Sequence, residues 1–84
     1  MDKKFLNKVV NQIVRETRIN YDQKRVYTPF SSPPFPFSFY NRPLFFLFSF
    51  SNHCEDVYGL NDDEIKYVWE EYKQIIKDKI DSNG

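Results

Sequence analysis

Glycine is nearly absent, with two residues in 84, which excludes collagen-like repeats and glycine-rich phosphate loops. One cysteine excludes an internal disulfide framework. Charge of either sign is not in excess: Lys plus Arg is 12 and Asp plus Glu is 12, so the formal net charge is zero. That balance argues against a dedicated nucleic-acid binder, which carries a basic excess. No apolar run approaches the ~20 residues that a membrane-spanning helix needs. The opening Met1-Asp2-Lys3-Lys4-Phe5 is followed by more charge rather than a long apolar stretch, so a secretory signal is not expected. The expected location is therefore cytoplasmic. A chain this short forms one small domain, 1–84, with a thin margin of stability.

Aromatic residues are abundant, at 19%, and unevenly placed. Eight of the nine Phe lie between Phe30 and Phe50, and all five Pro lie between Pro29 and Pro43. The chain thus divides into 1–28, a Phe/Pro/Ser-rich 29–51 whose one charge is Arg42, and 52–84. Residues 1–28 hold seven basic against three acidic residues, a net of +4. Residues 51–84 hold four Lys against nine acids, a net of −5.

The expected class is α+β, mostly helical. Phe5, Leu6, Val9, Val10, Ile13 and Val14 form one apolar stripe, which predicts a helix over 3–17 with Asp2 as N-cap. Residues 17–21 and 25–28 alternate β-branched and aromatic side chains around a polar centre, the pattern of a short hairpin. Continuation of the first helix through Ile19 is the competing reading. Proline forbids a helix interior over much of 29–51. Phe35, Phe37 and Phe39 alternate, as do Phe46, Phe48 and Phe50 around a turn-like Asn41-Arg42-Pro43. Two extended arms or an irregular loop both fit. Residues 52–58 suit a short helix ended by Gly59. Asn61 with Glu64 reads as a capping box, opening a long helix over 62–81 with Ile65, Val68, Trp69, Tyr72, Ile75, Ile76 and Ile80 on one side. The first and last helices are expected to pack antiparallel.

Each Phe removed from water contributes roughly 1.5–3 kcal/mol. Two amphipathic helices and a hairpin offer little area to cover eight of them, so part of that surface is expected to meet a partner. The candidate partner-binding residues are Phe35, Phe37, Phe39, Tyr40, Phe45, Phe46, Phe48 and Phe50. The alternative is that the segment is simply the domain's own core.

Catalytic chemistry has little to assemble from. His53 and Cys54 are the one His and the one Cys, adjacent rather than in spaced pairs, so no metal site or Cys–His nucleophile is expected. A buried Cys54 and a capping or surface His53 is the plainer reading. Asp62-Asp63-Glu64 is explained by helix capping. Residues 52–72 have helix-turn-helix form, but the would-be recognition helix opens with three acids, which phosphates repel. No cofactor, metal or catalytic residue is expected, and the chain is read as non-enzymatic. Partners are expected to be a protein or further copies of the chain, with nucleic acid the lesser case. The alternative function is a small nucleic-acid-associated regulator using the basic first helix, through Lys3, Lys4, Lys8, Arg15 and Arg18.

The run His53-Cys54-Glu55-Asp56-Val57-Tyr58-Gly59-Leu60-Asn61-Asp62-Asp63-Glu64-Ile65-Lys66-Tyr67-Val68-Trp69-Glu70-Glu71-Tyr72 resembles small uncharacterised proteins encoded by tailed phages of marine bacteria. Phe5 to Tyr27 is similar in style, and the likeness spans some two thirds of the chain. The resemblance implies a viral origin and an accessory or virion role, in host cytoplasm or virion. It carries no activity and no functional residue.

Overall fold

A computed structural model describes residues 2–30, the backbone of 37–38, and residues 47–82. The elements are α1 (Lys3–Glu16), β1 (Arg18–Asn20), β2 (Arg25–Tyr27), β3 (Phe37–Ser38), α2 (Leu47–Tyr58) and α3 (Asp62–Ser82). The architecture is the mostly helical α+β layout that the sequence pattern implies.

Local chemistry sets each boundary. Asp2 caps α1, its Oδ1 accepting from the Phe5 amide at 3.2 Å. Thr17 ends α1 and donates its hydroxyl to the Ile13 carbonyl at 2.7 Å. β1 and β2 pair antiparallel, Ile19 opposite Val26. Their four-residue turn works without glycine: Asn20 Oδ1 accepts from the Gln23 amide at 3.1 Å, and Lys24 takes the left-handed conformation at φ 54°. β3 adds to the free edge of β2, with Val26 opposite Phe37. The extended reading of the first Phe arm is thus present at Phe37–Ser38, paired with β2 and not with a second Phe arm.

The second arm is helix. α2 starts at Leu47, five residues earlier than the expected Asn52, so Phe48 and Phe50 stand on a helix. The physical reason is that no proline follows Pro43, while Leu47, Phe50, Cys54 and Tyr58 recur at spacings of three and four. A helix buries that row; a strand does not. Gly59 closes α2 at φ 66°, with its amide on the Glu55 carbonyl at 3.1 Å and the Leu60 amide on the Cys54 carbonyl at 3.3 Å. Asn61 then opens α3 by a reciprocal box. Its Oδ1 accepts from the Glu64 amide at 2.9 Å, and Glu64 Oε1 accepts from the Asn61 amide at 3.0 Å.

One core joins the elements: Leu6, Val9, Val10 and Ile13 from α1, Val26 from β2, Phe50 and Cys54 from α2, then Leu60, and Ile65, Val68, Trp69, Tyr72, Ile76 and Ile80 from α3. α1 and α3 share the most extensive contact. Two side-chain bonds fix its sense: Tyr67 Oη donates to Asn7 at 3.0 Å, and Tyr72 Oη meets Thr17 Oγ1 at 2.9 Å. Contacts advance in the same direction along both helices, which corrects the expected antiparallel pairing. An apolar stripe encodes a face but not a direction. Phe5, placed on the stripe by sequence, lies at its margin and is 43% exposed.

Candidate interaction surface

The eight aromatic candidates fare differently. Phe50 is fully buried, which removes it from any contact surface and makes it the hub of an aromatic core. Its ring lies 4.9 Å from Trp69, 5.3 Å from Phe30 in an edge-on arrangement, and 5.4 Å from Tyr72. Phe48, two residues away, is 76% exposed. Phe37 contributes its backbone to β3. Phe35, Phe39, Tyr40, Phe45 and Phe46 lie outside the described residues.

Helix geometry explains the split. Residues two apart on a strand share a face, but on a helix they point about 200° apart. With Phe50 turned into the core, Phe48 must face water. A groove of about 390 Å³ between α2 and α3 is lined by Leu47, Ser51, Ile65 and Trp69 together with the charged Asp62, Lys66, Glu70 and Lys73, and Phe48 is not among its lining residues.

Tyr72 shows how the core handles its polar atoms. The Thr17 hydroxyl proton is committed to the Ile13 carbonyl, so the Tyr72 phenol donates to Thr17 Oγ1. Burial raises the Tyr72 pKa well above the ordinary tyrosine value. Cys54 is fully buried, and desolvation pushes its thiol from 9.0 up to about 12. It is a neutral core thiol, not a nucleophile. His53, expected at the surface or in a cap, is instead half-buried, 6.3 Å from the Phe30 ring and 6.0 Å from Tyr58. Its Nε2 is buried without a hydrogen-bond partner among the described residues. His53 and Cys54 therefore point to different places and do not form a pair. Tyr58 has its pKa raised by burial first, then by the charge of Glu16 and by Cys54.

Among the described residues no three His, Cys, Asp or Glu side chains converge to hold a metal ion. No described helix is long and apolar enough to cross a membrane. The sequence reading did not single out Tyr21, Tyr27 and Val57, which are 39%, 37% and 59% exposed. The hairpin alternation contained the signal for Tyr27: Ile19 and Val26 turn inward, so Arg18, Arg25 and Tyr27 turn out. A second concavity of about 370 Å³ sits there, lined by Glu16, Arg18, Tyr27 and Thr28.

No protein-family model, no curated protein and no solved structure matches this chain.

Proposed function

We propose that this chain is a non-enzymatic interaction or structural subunit, whose contact surface centres on Phe48 of α2. The observation that carries the reading is the contrast within α2: Phe50 is buried at the centre of the core while Phe48 is 76% exposed. A domain this small gains nothing in stability from a phenyl ring held in water, whereas a ring seated on a partner contributes roughly 1.5–3 kcal/mol. The same role suits the viral accessory function implied by the resemblance of residues 53–72. The test is binding of an apolar dye, with light scattering, on the purified chain and on Phe48→Ser. Dye binding or association by the parent, reduced several-fold in the variant with an unchanged helix signal, supports the reading. A dye-silent monomeric parent refutes it.

A second reading rests on the outward face of the hairpin. Arg18 and Tyr27 are register partners there, with Arg25 beside them, an arrangement suited to a phosphate and a stacked base. A salt-titrated gel shift with a single-stranded oligonucleotide tests it, and absence of retardation at low salt removes it.

A further inference from the structure

Two surfaces of the chain complement each other in shape and charge. One is a knob. Phe48, Asn52 and Glu55 follow at spacings of four and three, so they form one line along the exposed side of α2, with Asp56 flanking it. α2 carries no Lys or Arg. Phe48 is 76% exposed, and neither Glu55 nor Asp56 has a side-chain hydrogen bond or ion pair with any described residue.

The other is a hole. The concavity of about 370 Å³ at the open end of the hairpin is lined by Glu16, Arg18, Tyr27 and Thr28. Arg18 and Tyr27 are register partners, and Arg25 stands two residues from Tyr27 on the same outward face, about 7 Å along the strand. The hairpin 18–27 carries Arg18, Lys24 and Arg25 against Asp22. Those three cations are exposed, and like the acids of α2 they have no ion pair with any described residue. Glu16, the one acid of the wall, already accepts from Gln12 Nε2 at 2.8 Å. A guanidinium over its face and a second ring at its edge are the neighbours that a phenyl ring favours.

We propose, resting on the reading of Phe48 as a contact residue, that its partner is the hairpin concavity of a second copy. Phe48 enters between Arg18 and Tyr27. The charges choose the orientation. With α2 lying along β2 toward the turn, Glu55 and Asp56, about 10 and 12 Å beyond Phe48, reach Arg25 and Lys24. The reverse orientation would carry them toward Glu16. Exposed ion pairs are individually weak, so the ring supplies most of the affinity and the charges supply the direction. Knob and hole are different surfaces, so the contact is heterologous and builds rows of copies with one knob and one hole free at the ends.

Sedimentation velocity on the full chain tests this. At about 20 mM salt, where exposed charges are little screened, the weight-average sedimentation coefficient of the parent rises with protein concentration. The knob variant Phe48→Ser and the hole variant Arg18→Glu, Arg25→Glu each keep the parent's helix signal and sediment as monomers. Their equimolar mixture forms dimers and nothing larger, because it holds one intact knob and one intact hole per pair. A parent that stays monomeric at millimolar concentration, while dye binding that depends on Phe48 persists, overturns the proposal and leaves the contact at Phe48 to another protein. That holds whether or not the hairpin retards an oligonucleotide. A parent that is both monomeric and dye-silent overturns this proposal and the reading of Phe48 together. Association that is lost in Phe48→Ser but unchanged in the hole variant also overturns it, since the ring then seats elsewhere on the second copy.

Discussion

Cys54 is the residue whose chemistry the fold alters most plainly. In the folded chain its thiol is buried and titrates at about 12, against 9.0 ordinarily. The folded state therefore keeps a proton that the unfolded state releases. Its contribution to stability is complete below pH 9 and is lost progressively as the pH rises from 9 toward 12. Tyr72, also raised, adds to the loss at the alkaline end. Melting temperature measured across this range is expected to fall, and the Cys54→Ala variant to fall less steeply. Equal slopes would show that the thiol is accessible to water. This burial was legible in sequence, because a lone small residue three and four positions from apolar neighbours reads as core. The half-burial of His53 was not. It depends on Phe30, 23 residues earlier, arriving against the same side of α2.

At the scale of elements, α3 was readable because three independent signals agree on it: the Asn61–Glu64 box, the acids of its first turn and the apolar period. The turn before it gives a direct test. Gly59 is in the left-handed region, and a Cβ added there would meet nothing within 4 Å. Gly59→Ala therefore meets only a backbone penalty, about 1 kcal/mol, seen as a lower denaturant midpoint with an unchanged slope. A loss of several kcal/mol would mean the α2–α3 connection is packed more tightly than this. The first turn of α2 was the element misread. Phe46, Phe48 and Phe50 obey a period of two, and Leu47, Phe50 and Cys54 obey the helical one. The two patterns coexist in the same residues, and only the core decides between them. The Phe30, Trp69 and Tyr72 rings close around Phe50 when the chain is helical. The direction of α1 along α3 was also hidden, since it is decided by the Asn7–Tyr67 and Thr17–Tyr72 bonds rather than by either stripe.

For the whole molecule, the aromatic rings among the described residues are partitioned rather than simply buried or simply displayed. Phe30 and Phe50 complete a core that α1 and α3 leave open, and Phe48 is left in water. The candidate surface was legible as a segment and not as a residue, because composition counts rings without saying which way each one faces. The account rests on the difference between Phe48 and Phe50, and paired equilibrium unfolding of Phe48→Ala and Phe50→Ala, at a concentration and salt where the chain is monomeric, measures it directly. Phe50→Ala is expected to cost about 3–5 kcal/mol, enough to unfold much of the population, and Phe48→Ala to remain within about 0.5 kcal/mol of the parent. Comparable losses in the two variants would place the Phe48 ring inside the domain and leave the proposed contact surface without its centre.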